Sequence, residues 1–298
     1  MRTLRYLVAR NCKVYFKDKG VFFPSLIAPL ILLFLFIAFL GSVYRDSIRN
    51  VVEGFPISDA LVESIAGGWL ISSLIAVCAV TIAFAANCIM VQDKVQGQAR
   101  DISVAPVSRS LVALSYFIAT FLVTAIICLV ALAAGFVYIG IAGWHLSVAD
   151  VLLTILDTLL LVLFGTAFSS IVNHFLRSQG AIAAVQATVS AAYGFLCGAY
   201  MPIGNLTLWL QRILMVLPGT YGTGLLHSHL MGGAMDAVTA EGMPVEFADG
   251  LKEGFDCTLN FFGDPVPAWV SYLVLIAATA ALVGVYVLLV VKRRKAKQ

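Results

Sequence analysis

Charge is what this chain has least of. Only 12% of its 298 residues are Asp, Glu, Lys or Arg, and 61% are hydrophobic. A soluble domain averages about 25% charged and about 45–50% apolar. The deficit excludes an ordinary globular core and makes the bilayer the solvent. Histidine is also scarce, with four copies, and His227 and His229 are two residues apart, which does not place them on one helix face. The six cysteines, at 12, 78, 88, 128, 197 and 257, have no metal or redox spacing. They read as small packing residues, with no disulfide expected. Metal chemistry is therefore not expected, and nothing resembles a catalytic triad or a nucleic-acid surface. A Gly-x-x-x-x-Gly-Lys-Ser/Thr phosphate loop is missing, so the chain is not read as an ATPase. No internal repeat is evident, which gives no support to inverted-repeat carriers. Residues 1–19 hold six basic residues and no continuous apolar core, so a cleavable signal peptide is not expected.

Long apolar runs are abundant. They predict six membrane spans, at about 21–44, 67–91, 111–139, 150–172, 181–199 and 268–291. The predicted fold class is an all-α integral membrane protein. Residues 1–19 are amphipathic: Leu4, Leu7, Val8, Val14 and Tyr15 share one face of a helical wheel, with Arg2, Arg5, Arg10, Lys13 and Lys17 opposite. Such a helix is expected in the headgroup plane, its apolar side in the acyl boundary. Pro24 and Pro29 fall near the start of the first span, where a kink is expected. Residues 45–66 read as a polar loop. Beyond the fifth span, Leu206–Leu217 and Thr220–Gly233 are too short to cross and read as a re-entrant hairpin broken at Pro218 and Gly219. Residues 200–267 as a whole read as extracellular, with 234–267 a long acidic loop.

Basic residues fix the orientation. Fifteen of the nineteen Lys and Arg lie in the N-terminal segment, the 92–109 stretch, the 173–178 turn and the tail. The positive-inside rule puts these in the cytosol, both termini included. The 92–109 stretch is then a polar cytosolic element between two spans. Gln92 to Val104 is expected to form about three helical turns, stopped at Pro106, with Arg109 at the phosphate level. Within the spans, Asn87 and Gln186 either line a cargo path or bond between helices. Tyr193 and Tyr221 are candidates for cargo contact, although Tyr193, Tyr200, Tyr221, Trp209 and Trp269 also fit an outer aromatic belt. Gly194 and Gly198 form a Gly-x-x-x-Gly pair of the kind found at helix dimer seams. Asp157, an acid inside the fourth span, is a candidate for proton or cation coupling, or a group near the outer headgroups that is simply hydrated or paired.

Three elements carry a family resemblance. They are Asp93-Lys94-Val95-Gln96-Gly97 followed by Ala105-Pro106-Val107-Ser108-Arg109, the N-terminal helix ending Tyr15-Phe16-Lys17-Asp18-Lys19, and Leu217-Pro218-Gly219-Thr220-Tyr221 before the last span. In this order they resemble type-two ABC transporter permeases, a group that includes drug, antibiotic and polysaccharide exporters. The chain departs from the commoner form in having Asp93-Lys94 where Glu-Arg-Glu is frequent, and its 234–267 loop argues against a polysaccharide cargo. The resemblance implies that residues 1–19 are a connecting helix and 20–298 a transmembrane domain. A coupling helix at about 92–105 would carry Asp93, Lys94, Gly97, Arg100, Asp101, Pro106 and Arg109 against a cytosolic ABC ATPase. ATP and Mg would be bound by that partner, with no cofactor on this chain. A second permease copy, identical or similar, would complete the transporter in a bacterial cytoplasmic membrane, exporting a hydrophobic or amphipathic compound. Two other classes stay open: a secondary transporter or channel using Asp157, and a non-transporting membrane sensor.

Overall fold

The computed structural model describes residues 2–52, 54–98, 102, 104 and 107–295. Helix α1, Arg2–Lys17, precedes a nearly continuous helical run made of α2 (Lys19–Ser25), α3 (Ile27–Leu35), a π-helical turn (Phe36–Leu40) and α4 (Gly41–Val52). Asp18 starts the run by accepting a bond from the Gly20 amide at 2.9 Å. Pro29 lacks the N–H that would bond back to the carbonyl of Ser25, and the helix breaks at Leu26 between α2 and α3.

Helix α5, Asp59–Val95, is 37 residues long and buried along nearly all of its length. At 1.5 Å per residue it extends about 55 Å, well beyond a bilayer's hydrocarbon thickness. Around it stand α6 (Arg109–Ala142), α7 (Val148–Phe175), α8 (Gln179–Leu196) and α10 (Pro218–Ala240), all packed against it. A capping box explains where α7 begins: Ser147 Oγ accepts from the Asp150 amide, and the Asp150 carboxylate accepts from the Ser147 amide. Between α8 and α10 lie a 3-10 turn (Ile203–Asn205) and a seven-residue helix α9 (Leu208–Leu214). After α10 come α11 (Val245–Gly254), a two-stranded antiparallel hairpin of β1 (Leu259–Phe261) and β2 (Asp264–Val266), and α12 (Ala268–Lys295). Helix α12 closes the bundle against α7 and α10.

The predominantly helical membrane architecture agrees with the expected all-α class apart from the short hairpin, but several boundaries differ from the sequence expectation. Five stretches are long and apolar enough to cross a membrane: Lys19–Val52, Asp59–Val95, Arg109–Ala142, Val148–Phe175 and Ala268–Val291. The expected fifth span corresponds to α8, an eighteen-residue helix carrying Gln179, Gln186, Thr188 and Ser190, which is not among them. The expected polar loop at 45–66 is mostly helix. Tyr44, Ile48 and Val52, four residues apart, bury one side of α4, and Leu61, Val62 and Ile65 bury the first turns of α5. The charges between them pair across the junction, Arg45 with Glu63 at 3.2 Å and Arg49 with Asp59 at 2.8 Å.

The region expected to be loop at 234–267 is also ordered into elements. Ala234, Met235 and Val238 are buried and carry α10 seven residues beyond Gly233. The expected interfacial helix forms, but its apolar face packs on protein. Asn11 and Tyr15 are buried, and α1 lies along α6. Gly194 does not present a bare groove to another helix: a Cβ there would stand 2.4 Å from the Tyr200 ring, so the close approach is filled within the chain. Gly198 lies outside the helix, with φ of 78°, against Ile203.

Candidate functional site

The polar stretch between α5 and α6 is gripped from three directions. Asp93, in the last turn of α5, is buried. A carboxylate at a helix C-terminus meets the negative end of the dipole, so it needs a cation. Arg10 of α1 supplies one. Its Nη1 pairs with Asp93 Oδ2, and its Nη2 donates to Oδ1 at 3.0 Å, a two-pronged contact. The Tyr116 hydroxyl of α6 donates to the same Oδ2. Arg10 Nη2 also donates to Gln98 Oε1 at 2.6 Å, and Gln98 Nε2 donates to Gln96 Oε1 at 3.2 Å. Beside this, Arg10 Nη1 donates to Asn11 Oδ1 at 3.0 Å, and Asn11 Nδ2 to Ser115 Oγ at 3.4 Å. The hydrogen bonds to Asp93 raise the Arg10 guanidinium above its ordinary value, against the lowering effect of burial. The cation therefore stays charged, and the clasp ties α1, α5 and α6 together at one end of the bundle.

The expected coupling helix at 92–105 is divided. Gln92, Asp93, Lys94 and Val95 finish α5, and the helix stops at Gln96. Gly97 has φ of +87°, the left-handed conformation that ends helices, with open space where a side chain would stand. Gln98, Ile102 and Val104 are helical, and Val104 is strongly exposed. Arg100, Asp101 and Pro106 lie outside the described residues. Arg109 opens α6 and is exposed, behind Ser108, whose side chain accepts from the Leu111 amide at 3.4 Å.

The membrane-interior candidates do not converge on one cavity. Asn87 joins α5 to α7, its Nδ2 donating to Ser170 Oγ at 2.8 Å and to Ser169 Oγ at 3.2 Å. Gln186 of α8 accepts from Cys88 Sγ at 3.6 Å. Tyr221 is buried and donates to the Met215 carbonyl at 2.8 Å. Tyr193 is buried beside Gly219, where a Cβ would stand 2.6 Å from its hydroxyl. Pro218 begins α10, where its missing N–H costs least. Of the aromatic residues assigned to an outer belt, Trp209 and Trp269 are exposed, whereas Tyr193 and Tyr221 are inside the protein.

Asp157 is paired, one of the readings its position allowed. Fully buried, it accepts at 2.6 Å from Tyr272 of α12 and lies 2.6 Å from Nδ1 of His229 on α10. His227 turns to another helix, its Nε2 3.3 Å from Ser73 Oγ of α5. Among the described residues there is no group of three or more His, Cys, Asp or Glu side chains able to hold a metal. Sequence reasoning named Asp93 and Asp157 but missed their partners, which lie 83, 72 and 115 residues away for Arg10, His229 and Tyr272. No local pattern signals contacts at such separations.

A family model described as "ABC-2 type transporter" matches residues 2–230, which takes in α1 through most of α10. The chain belongs to the ABC-2 type transporter family. No curated protein matches it. As an ABC-2 permease it is a multi-pass membrane transport protein, and the family associates with ABC ATPases. The match takes in the Arg10–Asp93–Tyr116 clasp, Asp157 and His229. It ends at residue 230, inside α10, so α11, the hairpin and α12 with Tyr272 lie beyond it.

Proposed function

We propose that this permease is the transmembrane subunit of an ATP-driven exporter in a bacterial cytoplasmic membrane. Its cargo is a hydrophobic or amphipathic compound such as a drug, an antibiotic or a lipid-like molecule. The observation that carries this reading is the clasp of Arg10, Asp93 and Tyr116 at the polar stretch. A push on residues 92–105 would reach α5 through Asp93 and α1 through Arg10, and α5 touches α6, α7, α8 and α10. That arrangement suits a lever worked by a separate motor. ATP and Mg belong to two cytosolic ATPase subunits, and a second permease copy completes the pathway. In this reading α8 is the sixth span, both termini and the polar stretch face the cytosol, and α9 with the first part of α10 forms the re-entrant hairpin.

Reversing two charges together, Arg100→Glu with Asp101→Lys, tests the coupling. Copurification of the ATPase, or stimulation of its hydrolysis by the permease, is expected to fall. Retention of both would overturn the assignment. The buried Asp157 cluster favours one other reading, a secondary transporter. It predicts transport that survives ATP depletion and is abolished by Asp157→Asn.

A further inference from the structure

The cluster where α7, α10 and α12 meet is unlike the other polar contacts in the bundle. Asp157 Oδ1 accepts from the Tyr272 hydroxyl and Oδ2 faces His229 Nδ1, each at 2.6 Å. A carboxylate held against Nδ1 favours the tautomer with the proton on that nitrogen and the lone pair on Nε2. Among the described residues no hydrogen bond reaches Nε2. The His229 side chain is 13% exposed and that of Asp157 0%, so of this pair the histidine is the member that reaches the surface.

Its surroundings there are apolar. Asp157 is nine residues beyond Val148, about 14 Å along α7. Leu152, Leu156, Leu273 and Ile276 are exposed on the flanking helices. A lone imidazole nitrogen turned toward hydrocarbon is costly. A route to water runs along the same side of α10. Residues 229, 232 and 236 share one helix face. Nothing lies within 4 Å of the Cβ position at Gly232, and Asp236 is exposed in an ion pair with Lys252 at 2.8 Å.

In that tautomer the cluster offers an acceptor nitrogen on the open side of the ring, a carboxylate directly behind it, and the Tyr272 ring 6.4 Å from the imidazole. These features select a cation that donates hydrogen bonds, over an anion or an apolar group. We propose that the open edge of His229 binds the primary ammonium group of an amphipathic molecule, with Asp157 and Tyr272 as positioning residues. If the amphiphile is cargo, the site rests on the exporter reading above. A lipid with an aminoethyl headgroup offers the same chemistry.

The test uses the full chain in phosphatidylcholine nanodiscs, whose lipid carries no primary amine. A fluorescent long-chain alkylamine and its N-acetylated counterpart are titrated in parallel. The amine is expected to bind about tenfold tighter, the worth of one desolvated charge-assisted contact. His229→Gln should erase that preference. Asp157→Asn should erase it too, with recovery in Asp157→Glu, which a merely structural role would not produce. Competition by added phosphatidylethanolamine identifies a lipid as the natural source of the ammonium, and its absence points to cargo. Equal affinity for the two probes on the unsubstituted protein would overturn the site, as would an unchanged preference in His229→Gln. No ATPase is present, so this result stands apart from the coupling test.

Discussion

Asp256 shows how a single side chain responds to where it is placed. It follows α11 with φ of 54° and accepts from the Ile203 amide at 2.7 Å, which ties the hairpin end of the chain to the 3-10 turn. Burial pushes its carboxyl up to about 7, although the Ile203 and Gly204 amides pull it down. The folded chain therefore holds this proton more tightly than the unfolded chain, whose value is near 3.8. Stability from this group is greatest below about 4 and declines as pH rises toward 7, with nothing further lost above that. Hydrogen-exchange protection at the amides of residues 203 and 204, after correction for the intrinsic pH dependence of exchange, should fall between about pH 4 and 7, and Asp256→Asn should flatten the dependence. The residue scale is also where the sequence was least readable. On a helical wheel Arg10 falls on the polar side, opposite the face expected in the acyl boundary, yet it turns inward to Asp93. His227 and His229 look like a mismatched metal pair because they are two apart. In the structure each ring serves a different helix, one reaching Ser73 and the other Asp157.

Among the elements, the junction at Gly97 is the most sensitive. A side chain there would meet no atom, so the cost of Gly97→Ala is purely that of the left-handed backbone, about 1–3 kcal/mol. The expected outcome is a shifted or frayed end of α5 and weaker stimulation of the partner ATPase at unchanged permease expression. Assay of the copurified complex would detect it. Element identity was largely legible in the sequence because apolar runs of membrane length have few alternatives. The ends were not. Leu61, Val62 and Ile65 sit among charges and read as loop, but they extend α5 because the charges pair with α4. Likewise Val238 is separated from the apolar run of α10 by Asp236, whose ion pair with Lys252 of α11 keeps that turn helical.

For the molecule as a whole, the number of crossings decides the orientation of everything else. Helix α8 is short, leans chiefly on α5, and leaves Ala183, Ala187 and Ala191 exposed. If it crosses, Ser178 and Thr207 lie on opposite sides of the membrane. Cysteines placed at these two positions, with the six native cysteines replaced, should react with an impermeant reagent from opposite faces, residue 178 from the cytosol. Labelling of both from one face would leave five crossings. Global packing was only half legible. Composition announces a bilayer protein, but which helix stands in the middle depends on contacts that no window of sequence contains.

That central position of α5 has a mechanical corollary. With proteinaceous neighbours on every side, it is insulated from the thickness and composition of the surrounding lipid. Hydrophobic mismatch must be absorbed by the rim, by α3, α6 and α12, whose outward faces are apolar. The host membrane can thus retune the periphery while the mast keeps its length.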